Sequence, residues 1–336
     1  MKKLQAILGA ALVGALTVAC SSGAAQDTGG AAGGQHRVVI ATQGSDVDII
    51  AKIAAEHGMF AAHGIVPDLV PVGGAGPAAA GLASGSINVM TQSPAFAVQS
   101  GQTGSKLKLF CGVLNTIALA VMARPDSSFA RARTSDWRTE VSAWEGATIG
   151  VPTLGGALQI WLELVADAAG LDKKKITFVA VGLGAAATSA LDTKKVDLVA
   201  TSPFVQQIMA SQNYPVVFDF STDGVAAIGQ QAQGGYLATE SWLAANPDAA
   251  KAFCAAAGDS MKYLADPANK EPITAMLKSS FGVPDAAIPE ALTVVSTHYS
   301  TDLSCGPIEK ALAAAVTGGV LKSAPTCAEL VWNGQN

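Results

Sequence analysis

The sequence predicts an α/β fold built on parallel sheets, and three observations lead to it. Residues 145–204 alternate short β-branched apolar runs with helical stretches, in the order strand, glycine turn, helix, strand, helix, strand. Residues 37–91 show the same alternation as strand, helix, strand, helix, strand. Strand–helix–strand units with short connections pair as parallel strands with right-handed crossovers. Finally, about 300 residues follow an N-terminal leader, enough for two compact units of ordinary size.

The leader comes first. Lys2 and Lys3 give a positive start, residues 4–16 form an apolar core, and Thr17-Val18-Ala19-Cys20 ends it with a small residue before cysteine. A secretory signal has this form, and the run is too short and too poorly flanked for a permanent span. Its end resembles the bacterial lipoprotein box, although Thr17 stands where leucine is usual and Leu16 lies beside it. The resemblance implies a signal peptide at 1–19 and lipid attachment at Cys20, which would replace the signal as anchor. Residues 21–35, SSGAAQDTGGAAGGQ, have no apolar periodicity, so 20–36 reads as a flexible tether with a reach of roughly 20 Å.

The folded body begins with a strand at 37–42, RVVIAT, followed by the loop Gln43-Gly44-Ser45-Asp46. Residues 47–57 fit a helix with Ile50, Ile53 and Ala54 on one face and Ser45 or Asp46 as N-cap. Asp46 then caps the helix or meets a ligand, while Asp48, two positions on, points elsewhere and is expected to face water and the helix dipole. A second strand spans 68–72. The run Gly73-Gly74-Ala75-Gly76-Pro77 opens a helix, with Pro77 suited to the first helical position. A third strand covers 89–91 and ends in Gln92-Ser93-Pro94; a fourth covers 106–114, with Asn115-Thr116 beyond it.

In the central stretch, 148–152 is a strand and Thr153-Leu154-Gly155-Gly156 a turn. Leu158, Trp161, Leu162, Val165 and Ala169 then recur at helical spacing, with Gly170 as the stop. Residues 176–181, 185–195 and 196–200 continue as strand, helix and strand, ending in the loop 201–204. Residues 247–264, 272–281 and 308–316 read as further helices. Parallel sheets bind ligands outside the carboxyl ends of their strands. Among those ends, residues 153–156 offer a hydroxyl and free backbone N–H groups at a helix N-terminus, suited to a carboxylate, sulfonate or similar group.

Several function classes are set aside. A net charge of −5 without a basic cluster argues against nucleic acid. Lys173-Lys174-Lys175 is the one basic run and reads as a solvated turn. Gly182-Leu183-Gly184-Ala185-Ala186-Ala187 satisfies G-x-G-x-x-A, but the acidic residue that a dinucleotide site needs about twenty positions on is missing, since Asp197 comes too early. Ser189, Ser202 and the scattered histidines (His36, His57, His63, His298) form no nucleophile motif and no metal spacing. No metal or cofactor is expected. Trp137, Trp144, Trp161, Trp242 and Trp332 read as core or surface residues. Beyond Cys20, the even set Cys111, Cys254, Cys305 and Cys327 permits two disulfides in an exported protein, with three full pairings open. Pairing Cys305 with Cys327 is preferred because it would pin the C-terminal segment, and Cys111, in an apolar strand run, also reads as a buried thiol.

The segment Glu145-Gly146-Ala147-Thr148-Ile149-Gly150-Val151-Pro152, then Ala168-Ala169-Gly170-Leu171-Asp172, then Val196-Asp197 and Pro203-Phe204, resembles the second lobe of the substrate-binding proteins of ABC importers, the nitrate/sulfonate/taurine-type family that also contains thiamine-precursor binders. Gly58, Phe60, Gly64, Ile65 and Leu69-Val70-Pro71 match the family's first-lobe run, with Met59 where an aromatic is common. Leu82-Ala83-Ser84-Gly85-Ser86-Ile87-Asn88 resembles its turn, with Asn88 for the usual aspartate. The resemblance covers about 38–264. It implies a two-lobed periplasmic-binding-protein fold of type II: a first lobe at 37–122, a second at 123–235, and completion of the first by 236–336. Ligand would sit in a cleft between the lobes, which close about two crossover segments at 117–123 and 236–239.

On this reading the chain is not an enzyme. It is an exported, lipid-anchored, monomeric binder in the periplasm or on the outer face of the membrane, delivering a small ligand (a sulfonate, carboxylate, zwitterion or heterocycle) to an ABC permease and its ATPase. The candidate ligand contacts are Gln43, Ser45, Asp46, Gly76, Ser93, Asn115 and Thr116 from the first lobe, and Thr153, Leu154, Gly155, Gly156 and Ser202 from the second. The alternatives are a ligand-sensing subunit of a membrane receptor, or an enzyme like the thiamine-precursor synthases, which share the fold and sacrifice a histidine; His63 falls in a surface run and fits that role poorly. Asp46 is the only ionisable residue in the strand-end loops chosen. The expected ligand is therefore zwitterionic or near-neutral, its acidic or polar end toward Gly155 and its donor end toward Asp46.

Overall fold

The structure, a computed structural model, describes residues 35–334 except 73, 103, 115, 132, 135, 153, 155, 222, 224–227 and 229. The signal peptide, Cys20 and the tether up to residue 34 lie outside the described residues, as do Asn115, Thr153 and Gly155. No described helix is long and apolar enough to cross a membrane.

Ten strands form three sheets: two small ones, joined by a bridge, make the sheet layer of the first lobe, and a five-stranded one is the sheet of the second. The strands are β1 (His36–Thr42), β2 (Ile65–Pro71), β3 (Met90–Gln92), β4 (Leu107–Leu114), β5 (Ala120–Ala123), β6 (Thr148–Val151), β7 (Thr177–Ala180), β8 (Leu198–Thr201), β9 (Val216–Asp219) and β10 (Gly234–Thr239). In the first lobe β2 pairs parallel with β1, a bridge from Ile40 to Val89 joins β1 to the β3 edge, and β10 runs antiparallel between β3 and β4. In the second lobe the order is β7-β6-β8-β5-β9; β6 is parallel to β7 and β8, while β5 is antiparallel to β8 and β9. The β-branched runs that predicted parallel strands thus do pair in parallel. The antiparallel strands are those that enter a lobe from the other one.

Each lobe has its own core. Val38, Ile40, Ile50, Ile53, Phe110 and Phe253 are packed together in the first, and Val121, Trp144, Ile149, Leu162, Leu198 and Phe218 in the second. Full burial of one such aliphatic or aromatic side chain contributes about 1.5–3 kcal/mol. The helix Ala157–Ala169 shows how the pattern works: Trp161, Leu162, Val165 and Ala166 are buried in the second-lobe core, and Ile160 is buried beside Gly318. It stops at Gly170, whose φ of 80° is the left-handed conformation that glycine adopts without a Cβ penalty.

The chain passes between lobes twice. β5 already belongs to the second-lobe sheet from Ala120, and Gly234 and Gly235 already pair in the first lobe, so each passage comes a few residues earlier than the ranges 117–123 and 236–239. The two passages lie side by side. Ala118 N–H donates to Gln233 Oε1 at 3.0 Å, Gln233 N–H to the Leu114 carbonyl at 2.9 Å, and Phe220 N–H to the Leu119 carbonyl at 2.9 Å. Backbone and side-chain bonds of this kind let two strands bend together as one hinge.

Three local expectations change. The helix predicted from 47 begins as a 3-10 turn, Asp46–Asp48, before the α-helix Ile49–Glu56. Pro77 is the third residue of the helix Ala75–Ser84, not the first; its missing N–H is still one of the unbonded donors of the first turn. Helices at Pro94–Gln102, Pro203–Ser211 and Ile288–Thr297 add to those predicted.

Two disulfides are formed. Cys305 is joined to Cys327, tying the helix Cys305–Thr317 to the C-terminal turn. Cys111 is joined to Cys254, so Cys111 is no free thiol: it is fully buried in β4 and links the sheet to the helix Pro247–Ala265. β4 is also crossed closely by a later segment. A Cβ on Gly112 would sit 2.7 Å from the Ser300 carbonyl oxygen and nearer still to that of Asp302, while Gly112 N–H donates to the Thr301 carbonyl. Backbone cannot yield as a side chain can, so Gly112→Ala is expected to cost about 2 kcal/mol in urea unfolding. A change below about 0.5 kcal/mol would show that this approach is looser than described.

Candidate functional site

The strand ends of the two lobes face one another across a cavity of about 500 Å³. The first lobe supplies the loop after β1, the β3 end and the helix that follows it. The second lobe supplies Pro152 after β6, the start of the helix Ala157–Ala169, the loop after β7 and Ser202 after β8.

The β1 loop is shaped by a carboxylate. Asp48 accepts the backbone N–H groups of Gln43 (2.9 Å), Gly44 (2.7 Å) and Ser45 (3.2 Å) and is buried. It therefore does not face water: the tight 3-10 turn folds it back over its own loop, where three donors replace hydration. Burial pushes its carboxyl up, and those N–H groups and Lys52 pull it back. With Asp48 fixing the loop, Asp46 is aimed into the cleft. It is 2% exposed and lines the cavity. The Tyr299 hydroxyl donates to the Asp46 backbone carbonyl at 3.0 Å and approaches its Oδ2 at 3.4 Å. Ser202, from the opposite lobe, lines the same cavity, and its hydroxyl is among the groups that pull the Asp46 carboxyl down. Burial raises the Asp46 carboxyl to about 6, with the Asp48 charge adding to the rise and the Ser202 and Tyr299 hydroxyls opposing it.

Of the residues singled out from the sequence, Gln43, Ser45, Asp46, Ser93, Gly156 and Ser202 line this cavity. Gly76 does not; it is inside the helix, and Gly74 and Ala75 stand at the cavity instead. Leu154 does not either, and is 60% exposed. Thr116 turns to His298, its Oγ1 3.4 Å from Nδ1. Burial lowers His298 from the usual imidazole value, with Asp219 opposing.

Other lining residues were not among the candidate contacts. Trp161 is on the cavity wall and is not merely core; its Nε1 donates to Gln231 at 3.2 Å, which leaves the ring to offer apolar surface. Phe96 and Gln99 come from the helix Pro94–Gln102, and Gln92 and Gln233 from a strand end and a crossover. Their signal was proximity to predicted strand ends, but only packing decides which helix faces turn inward. Gly182 and Leu183, in the rejected dinucleotide pattern, also line the cavity. His63 lies elsewhere, its Nε2 2.7 Å from Asp259 Oδ2. Among the described residues no group of three or more His, Cys, Asp or Glu could hold a metal ion.

Two α/β lobes joined by a pair of crossovers, with a cavity between their facing strand ends, define the periplasmic-binding-protein fold. The family model described as NMT1/THI5 like matches residues 49–270, and the chain belongs to that family. Solved structures share the fold at low identity. The alkanesulfonate-binding protein SsuA from Xanthomonas axonopodis pv. citri, bound to MOPS, aligns with a TM-score of 0.72 and 17% identity over 89% of this chain and 99% of that one. The periplasmic nitrate-binding protein NrtA from Synechocystis PCC 6803 aligns with a TM-score of 0.72 and 13% identity, over 89% and 86%. The desulfurization enzyme DSZB aligns with a TM-score of 0.61 and 14% identity, over 88% and 96%. No curated protein matches the chain in sequence.

Proposed function

We propose that the chain is an extracytoplasmic solute-binding lipoprotein. It captures a small organic ligand between its lobes and delivers it to an ABC permease. The observation behind this reading is a cavity of about 500 Å³ lined from both lobes, with Asp46 of one and Ser202 of the other on its wall. A cavity of that size suits a small molecule whose orientation is set by a few polar groups and whose burial comes from apolar walls. A site whose walls belong to two bodies on a shared hinge reports occupancy through closure, which a membrane partner can recognise. The lobes follow the expected division, 37–122 with 236–336 and 123–235, with each boundary a few residues earlier where the strands pair. Cys20 carries the lipid anchor, and the tether leaves the domain within reach of the permease. Palmitate labelling that disappears in Cys20→Ser would support the anchor.

Because the fold also occurs in an enzyme, the decisive experiment measures binding and turnover together. The mature protein is heated with sulfonates, carboxylates, amines, pyrimidines and aromatic acids, and each ligand is then recovered and analysed. One class is expected to raise Tm, by about 2.7 kcal/mol of stabilisation at a hundredfold excess over Kd, and to be recovered unchanged. No shift with any class, or chemical conversion of the one that binds, overturns the reading.

A further inference from the structure

We propose that the cleft takes a small organic monocation, a protonated amine whose N–H groups dock on Asp46. This inference rests on the solute-capture reading and adds the charge and head group of the ligand. Among the described residues that line the cavity, Asp46 is the only one with an ionisable side chain; the others are amides, hydroxyls, glycines and apolar groups. From residue 35 onward, none of the residues outside the description is Lys, Arg or His, so none can add a cation to the cavity wall.

The carboxylate is held by neutral donors alone within the cleft. The Tyr299 hydroxyl donates to it from behind, and Ser202 stands on the cavity wall of the other lobe. Hydroxyl bonds return only part of the hydration a buried carboxylate loses, and a cation at hydrogen-bond distance would return more. The apolar walls suit the same head group: Phe96 and Trp161 line the cavity, and an aromatic ring attracts a cation held over it. An oxyanion meets the reverse situation. It would share a low-dielectric cavity with Asp46, and what the described second-lobe residues offer it is neutral: the N-termini of the helices Ala157–Ala169 and Pro203–Ser211, beside Gly156 and Ser202. The cleft therefore departs from the expected zwitterion in one respect: the cationic end is required and the acidic end is dispensable.

The test is a head-group series on one carbon skeleton: benzylammonium, benzyl alcohol, phenylacetate and phenylmethanesulfonate. Each is titrated by calorimetry into the mature protein at about pH 8, where Asp46 is ionised. Benzylammonium is expected to bind at least about tenfold tighter than either anion, with the alcohol between them. Asp46→Asn should remove that preference, weakening benzylammonium by about tenfold or more while the alcohol changes little. Circular dichroism checks that the variant is folded, and the wild-type series decides the matter even if it is not. Tighter binding of the sulfonate or carboxylate overturns the charge assignment while leaving solute capture intact. An unchanged benzylammonium affinity in folded Asp46→Asn overturns the docking on Asp46. No binding by any member at millimolar concentration counts against this proposal and, if the wider screen is also silent, against solute capture itself.

Discussion

Replacing Cys111 and Cys254 together by alanine is expected to destabilise the protein by about 5 kcal/mol. The bond closes a loop with a sequence separation of 143 residues, which contains the whole second-lobe sheet, and a long loop loses the most unfolded-state entropy when closed. It also joins the fully buried Cys111 of β4 to the helix Pro247–Ala265, whose Phe253 packs edge-on against Phe110 and Tyr236. The bond from Cys305 to Cys327 closes a separation of only 22 residues, so its double alanine variant should lose less, about 3 kcal/mol. Urea unfolding of the two variants ranks them. If the shorter loop proves the more damaging, native-state packing around Cys327 outweighs the entropy of the chain.

Asp46→Asn is expected to stabilise the ligand-free protein at neutral pH by on the order of 3 kcal/mol. Burial lifts the Asp46 carboxyl from its ordinary 3.8 to about 6 in the folded state. Below the ordinary value both folded and unfolded chains hold the proton, and the carboxyl contributes its full stability. Between there and about 6 the folded chain keeps a proton that the unfolded chain has released, so stability falls as pH rises through this window. Above it the buried charge has its full cost. The amide carries no charge at any of these pH values, so the advantage of Asp46→Asn should be present at about pH 7.5 and vanish near pH 4. Urea melts of both proteins at the two pH values measure it directly. A variant that is no more stable than wild type at neutral pH would mean that the Ser202 and Tyr299 hydroxyls already offset the desolvation. A gain in stability coupled to loss of cation binding would be the usual exchange of stability for a functional group held in an unfavourable place.

Much of the fold was legible because its signals are local. Leu158, Trp161, Leu162 and Val165 mark a buried helix face wherever that helix lies, and Gly170 stops it by its own backbone freedom. The runs at β6 and β8 are apolar because both faces of a parallel sheet are covered there, and both strands are almost wholly buried. The site was legible as a set of strand ends, since a parallel sheet leaves those ends to its ligand. Gln43, Ser45, Asp46, Ser93, Gly156 and Ser202 reach the cavity for that reason. Gly76, Leu154 and Thr116 sit beside strand ends as well, but a loop has two sides and sequence does not say which one faces the gap.

The sequence by itself determined the alternation of strands and helices, the cysteine count, and the presence of a single acid among the strand-end loops. Those are properties of residue type and spacing, and no neighbour distant in the chain can alter them. Only the tertiary structure decided that Asp48 turns inward to three backbone N–H groups while Asp46, two residues earlier, lines the cavity with Ser202 of the other lobe. It also decided that Cys111 finds Cys254 and that Trp161 walls the cavity. Each of these joins residues far apart in the chain, or depends on which side of a turn is covered. Their energies come from desolvation and packing, which exist only once both lobes are assembled.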